Sequence, residues 1–213
     1  MWTIWGSRNK YTHGETMFQP LRSMEIIQEH IRSLYIPDKQ HSIPKMSEVW
    51  TKPDVGVIKI NSDAAIDEMG GRAGTGVVAR DHEGRFIVGR FCPYVGITDP
   101  YVSEALGCRD AMLLAKERRW PIIQISSDCK TVVEDWNGGR DRSCCGPIFR
   151  EMSSYLSGFQ GFELKFSERD ANKVAHMLAK RGLSTEMQSV TMDVILDFLS
   201  AAVHSDYVRS LNE

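Results

Sequence analysis

The order of its elements constrains this chain most. Residues 55–95 read as three short apolar runs, "VGVIKINSDAA", "RAGTGVVARD" and "GRFIVGRFCPYV", separated by Gly70-Gly71 and by "DHEG". Runs of that length broken by such turn residues predict three hairpin-connected antiparallel strands. The stretch "YVSEALGCRDAMLLAKERRW" follows, with Ala105, Cys108, Met112 and Ala115 along one helical face. Then comes "PIIQISSD", a continuous apolar run of the kind found in strands buried on both faces. A helix leading into such a strand implies a crossover onto the same sheet.

Beyond Asp128, "KTVVEDWNGG" and "GPIFREMSSYLSG" read as short helices, the first stopped by Gly138-Gly139 and the second carrying Pro147 in its first turn. "GFELKFSE" alternates as a fifth strand, and "DANKVAHMLAKRG" reads as a helix capped by Asp170 and ended at Gly182. The order is βββαβααβα. Upstream, Leu21, Met24, Ile27, Ile31 and Leu34 mark an amphipathic helix, and residues 36–54 hold three prolines in a linker-like stretch. Downstream, "MDVILDFLSAAV" predicts one more helix. We therefore expect an N-terminal helical segment and linker over 1–49, a central α/β domain over 50–183, and a helical tail over 184–213.

Length suits one real core, since 213 residues allow a domain of about 100–150 residues with flanking pieces. A net charge of -2 gives no global basic field, so contact with nucleic acid would need a local patch. Five cysteines with no C-x-x-C pair indicate neither a disulfide framework nor a zinc site, and point to a reducing setting. The opening "MWTIWGSRNKYTHGE" has neither a membrane span nor a signal-peptide pattern. A soluble intracellular protein with no membrane partner is expected.

Three acids stand out by position. Asp63 ends the first strand, Glu104 lies in the first turn of the long helix, and Asp128 ends the fourth strand. Each has an ordinary reading alone: a turn residue, a complement to the helix dipole, an N-cap. With strands one and four as neighbours, however, their ends meet at one sheet edge and the helix start overhangs it. Converging carboxylates repel one another, and hard divalent cations such as Mg2+ or Mn2+ relieve that repulsion. Two such ions can activate water and stabilise the leaving oxygen in phosphodiester cleavage.

The motifs "KINSDAA", "GGRAGTGVVARDHEGRF", "SEALGCRDAMLLA", "IIQISSDCKTVV" and "ERDANKVAHMLAKRG" occur in an order and spacing that resemble a ribonuclease H-like domain. The resemblance spans about residues 50–183 and is closest to the plant form associated with reverse transcriptases of non-long-terminal-repeat retroelements; "MWTIWGSRNK" also resembles the tail of the upstream segment in such proteins. It implies a five-stranded mixed sheet of order 3-2-1-4-5 flanked by helices, here with extra N- and C-terminal helices. It also implies endonucleolytic hydrolysis of the RNA strand of RNA·DNA hybrids with two Mg2+ ions. Asp63 would bridge both ions, with Glu104 and Asp128 completing the site and Glu104 near a ribose 2′-hydroxyl. Ala64 and Ala65, which follow Asp63, and Asn172 are the substrate-contacting candidates.

The chain departs from the family at the fourth acid. The pattern N-x-x-A-D would place aspartate at position 176, where "NKVAH" supplies His176. At about 100° per residue, Val174, Leu178, Ala171 and Ala175 form a buried stripe, with Asn172 and His176 on one ridge at its margin. His176 is thus still offered to the site as a fourth catalytic and metal-ligating candidate. Imidazole is neutral and softer than carboxylate, so weaker occupancy and a preference for Mn2+ are expected. The loop histidine that bacterial forms use in product release has no counterpart in "LKFSERDAN".

Gly71, Gly74 and Gly76 do not fit a phosphate-binding pattern and are expected in a hairpin turn. Arg118, Arg119 and Trp120, and more loosely Arg140, Arg142 and Arg150, are basic candidates for backbone contact. The competing reading is a domesticated, weakly active or inactive module that binds nucleic acid, or a protein partner through the terminal helices.

Overall fold

In the computed structural model, which describes residues 49–140, 144–186 and 189–210, the turn residues fall where the chain reverses. β1 (Ile58–Asp67) passes through Gly71, at φ +62°, into β2 (Arg72–Arg80), and β2 passes through Gly84, at φ +83°, into β3 (Phe86–Val95). Aspartates brace both turns: Asp67 accepts from the Gly70 N–H, and Asp81 from the N–H groups of Glu83 and Arg85. The helix α1 (Pro100–Glu117), capped by Asp99, then crosses over to β4 (Ile122–Ser127). β4 pairs parallel to β1 from Ile58↔Ile123 to Ser62↔Ser127.

Two short helices, α2 (Lys130–Asn137) and α3 (Gly146–Tyr155), lead to β5 (Gly161–Phe166), which lies parallel to β4. A single 3-10 turn, Arg169–Asn172, opens α4 (Lys173–Leu183). The sheet expected with five strands has six. β6 (Val190–Met192) pairs antiparallel with β3, giving the order β5-β4-β1-β2-β3-β6. The helix expected at Met192 begins five residues later, as α5 (Asp197–Arg209), because its first apolar residue already serves β6. The expected helix over 20–35, the linker up to residue 48, and Arg142 lie outside the described residues.

The core has one layer on each face of the sheet. Ile60, Val77, Ala79, Val88, Ile123 and Ile125 pack with Ala105, Cys108, Met112 and Ala115 of α1. Val78 and Phe91 pack with Val174, Ala175 and Leu178 of α4, Met192 of β6, and Leu199 and Val203 of α5. Burying a large apolar side chain contributes about 1.5–3 kcal/mol, so β6 and α5 add real stability to the second layer. No described helix is long and apolar enough to cross a membrane.

Polar contacts fix the register of both large helices. Asp110, buried in α1, accepts from Thr75 Oγ1 at 2.5 Å and from the Tyr94 hydroxyl at 2.8 Å, tying α1 to β2 and β3. Under α4 the strand itself is thinned. A Cβ on Gly74 would stand 2.0 Å from the Leu183 nitrogen, and one on Gly76 would stand 2.2 Å from the Ala175 oxygen. Gly74 and Gly76 are therefore not the turn residues expected; they are strand glycines that let α4 rest on backbone, and only Gly71 serves the hairpin turn. Gly182 likewise faces Cys92 and Thr75 carbonyls from within α4, which ends at Leu183 with Ser184 as its C-cap and not at a left-handed glycine.

Candidate metal centre

The site forms where the parallel part of the sheet stops. β1 and β4 remain paired through Ser62 and Ser127, and the next residue of each is an acid, Asp63 and Asp128. β1 does not end at Asp63 as expected: it runs on to Asp67 against β2, with Asp63 opposite Gly76. That continuation holds the carboxylate on a rigid strand. Glu104 is the fifth residue of α1, one place beyond the first turn in which the sequence suggested it. Gly107, one turn further on, brings α1 against β1, since a Cβ there would lie 3.2 Å from the Asp63 carbonyl oxygen.

One carboxylate oxygen from each of Asp63, Glu104 and Asp128 lies within 4.8 Å of the other two. The ordinary readings of these acids do not describe them. Asp99, not Glu104, serves the start of α1, and Cys129 occupies the N-cap of α2, leaving Asp128 free to face the cluster. Burial first, and then the Glu104 and Asp128 charges, push the Asp63 carboxyl up to about 9. Burial and the Asp128 charge push Glu104 to about 8, against the pull of the Ala64 backbone N–H and of Arg169. Glu104 Oε2 is buried and has no hydrogen-bond partner.

His176 joins this group from α4. Its Nδ1 lies 2.7 Å from Asp63 Oδ2, and Val174, Leu178, Ala171 and Ala175 are buried as the helical count predicts. Burial, then Lys180 and Arg169, hold the imidazole below its usual value, so near neutral pH the contact joins a neutral ring to a protonated Asp63. Three carboxylate oxygens and one imidazole nitrogen, with an unsatisfied buried oxygen among them, fit a divalent cation of oxygen preference.

Asn172 takes the N-cap position of α4, where Asp170 was expected, yet its side chain makes no cap bond. Its Nδ2 donates instead to the Ser62 carbonyl at 2.8 Å and to Asp128 Oδ1 at 3.3 Å. Asp170 pairs with Lys173 on the surface. Ala64 and Ala65 follow Asp63 along β1 and are half-buried. Sequence reading passed over Arg169, whose exposed guanidinium opposes the raised carboxyls of Asp63 and Glu104. The signal for it was present three residues before Asn172, in "ERDAN".

The other basic candidates stand elsewhere. Arg118 pairs with Asp193 and Trp120 packs against the core, about 20 Å along α1 from Glu104. Arg140 pairs with Asp135 at 3.0 Å.

A profile of the family described as reverse transcriptase-like matches residues 61–182, which hold all four residues of the cluster. The chain belongs to that family. A curated Arabidopsis thaliana member, provisionally named a ribonuclease H protein, is 24% identical over 189 residues. The alignment covers 88% of this chain and 30% of the relative, so the chain spans under a third of that protein's length. Among solved structures, RNase H1 from Halobacterium salinarum superposes with a TM-score of 0.53 at 21% identity, over 60% of this chain and 97% of that one. LC11-RNase H1 in complex with an RNA/DNA hybrid gives 0.53 at 18% identity, over 59% and 96%. The N-terminal RNase H domain of a Mycobacterium tuberculosis protein gives 0.54 at 19% identity, over 60% and 93%. The fold is thus ribonuclease H-like, with β6 added at the sheet edge.

Proposed function

We propose that this protein hydrolyses the RNA strand of RNA·DNA hybrids with the help of divalent metal ions. The observation that carries this reading is the convergence of Asp63, Glu104 and Asp128 within 4.8 Å, where burial and mutual repulsion raise the carboxyls of Asp63 and Glu104. Such a site is destabilised for charge by itself and completed by cations. Asp63, Glu104, Asp128 and His176 would hold Mg2+ or Mn2+, which would supply a water nucleophile at neutral pH and stabilisation of the leaving oxygen.

The chain's own residues divide the remaining work. Asp63 stands centrally on a strand paired on both sides as far as Ser62, so it is the carboxylate least able to move. Asn172 orients Asp128 through its Nδ2–H, and the small side chains of Ala64 and Ala65 leave room for a sugar-phosphate backbone beside Asp63. Arg169 places a positive charge at the rim, where a phosphate would arrive. His176 substitutes a neutral donor for a carboxylate, which supports a preference for Mn2+ over Mg2+.

The test is direct. Purified protein is incubated with a hybrid labelled on its RNA strand in Mg2+ and in Mn2+, beside an Asp63→Asn variant. Cleavage of the RNA strand that disappears in the variant is expected. Absence of cleavage by the wild type in both metals overturns the enzyme reading and leaves a nucleic-acid-binding module.

A further inference from the structure

A continuous line of buried side chains runs from α5 to the acidic cluster. Asp206 of α5 accepts from Arg80 Nη2 at 2.9 Å, and the Arg80 guanidinium lies 4.5 Å over the Trp50 ring. The indole Nε1–H donates to Asn61 Oδ1 at 2.9 Å. Asn61 Nδ2 donates to Asn172 Oδ1 at 3.2 Å and to the Ala171 carbonyl at 3.3 Å. Asn172 Nδ2 then reaches the Ser62 carbonyl and Asp128. Trp50, Asn61, Arg80, Asn172 and Asp206 are all at most 5% exposed.

We infer that Trp50 is a positioning residue that, through Asn61, holds Asn172 with its N–H toward Asp128. The polarity follows from donor chemistry. An indole N–H can only donate, so its partner at Asn61 is the carbonyl oxygen, and the amide nitrogen must turn toward Asn172 and Ala171. Asn172 therefore receives on its oxygen, and only its nitrogen remains for Ser62 and Asp128. The Ala171 and Ser62 carbonyls demand the same orientation, so every amide atom in the line is matched and no alternative arrangement satisfies all of them. Without the indole donor, Asn61 Oδ1 is buried without a partner, and the amide that holds Asn172 loses its anchor.

Trp50 also links the site to parts of the chain outside the matched residues. It precedes that span, and Asp206 of α5, which holds the Arg80 guanidinium over its ring, follows it. The lead-in segment and the C-terminal helix thus bear on the orientation of Asn172, and the side-chain line stands whether or not a metal binds. Its consequence for metal affinity rests on the function proposed above.

The test uses Trp50→Phe, which keeps an aromatic ring under Arg80 and removes the donor. In metal-free protein, the Asn172 side-chain amide cross-peaks in a 1H–15N spectrum are expected to shift from their wild-type positions. Mn2+ affinity measured by calorimetry is expected to weaken by about threefold to tenfold. Trp136→Phe, at a ring that packs against Phe149 and Phe162, is expected to change neither. Asn61→Leu cuts the same line one link further in and gives the same readout if Trp50→Phe does not fold. Asn172 cross-peaks that stay at their wild-type positions in the folded variant overturn the inference. Shifted cross-peaks in a protein whose wild type binds no Mn2+ support the side-chain line and overturn the metal reading alone.

Discussion

Nδ1 of His176 stands 2.7 Å from Oδ2 of Asp63, the central acid of the cluster. The imidazole therefore meets the site through a carboxyl that burial and its acidic neighbours raise, and not from a distance as a surface histidine. A neutral ring adds no positive charge beside Asp63, which leaves the Arg169 guanidinium to oppose the rise of its carboxyl.

Replacing His176 separates ligand from bystander. His176→Ala is expected to lower Mn2+-dependent cleavage by at least about tenfold, and His176→Asp to restore activity while shifting the preferred metal toward Mg2+. Initial rates on a labelled hybrid across a titration of each metal decide the point. Unchanged rates in His176→Ala would remove the ring from the site.

The raised acids make a statement about stability. In the unfolded chain Asp63 and Glu104 titrate near 3.8 and 4.5, and in the folded metal-free protein at about 9 and about 8. Between those limits the folded state holds more protons, so their contribution is fully present below about 4 and is lost as the pH rises to about 9. In EDTA the melting temperature is expected to fall over that range. Asp63→Asn should flatten the fall and stabilise the metal-free protein near pH 8 by ~1–2 kcal/mol. Mg2+ or Mn2+ should raise the melting temperature of the wild type and not of the variant, as read by calorimetry.

The glycine seat of α4 has little tolerance. Gly76→Ala would press a Cβ to 2.2 Å from both the Ala175 oxygen and the Ala179 nitrogen, which are backbone atoms and cannot rotate away. A loss of ~3 kcal/mol or more is expected, with weakened Mn2+ binding in any protein that still folds, because α4 carries His176. A denaturant titration beside a Mn2+ titration tests both halves.

The Arg80–Asp206 pair is buried, with side chains 2% and 6% exposed. Asp206→Ala leaves the guanidinium unpaired beneath α5 and should cost about 3–5 kcal/mol. The double variant Arg80→Met with Asp206→Leu should recover most of that loss, and a double-mutant cycle of unfolding free energies measures the recovery.

Much of the central sheet was legible because period and turn chemistry are local. Gly70-Gly71, "DHEG" and the unbroken run of β4 each state a backbone requirement within a few residues. The three acids were legible because they sit at fixed places in those elements. β6 was not, since three residues gain strand geometry only by covering Gly89, Arg90 and Phe91, a contact across about a hundred positions. Gly74 and Gly76 misled for a similar reason: glycine signals a turn locally, and only the docked helix shows that the missing side chains make room. Trp50, Asn61 and Arg80 carry polar atoms whose matching depends on partners from four different elements, so no spacing in the sequence announces them.

The same glycine contacts bear on how the fourth position came to hold a histidine. α4 is seated through Ala175, Ala179, Gly182 and the bare backbone of β2, while the side chain at 176 projects from the next face and takes no part in that seat. The seat of α4 thus does not depend on the side chain at 176. The chemistry offered at that position, acid or imidazole, can therefore be exchanged without remaking the seat of α4.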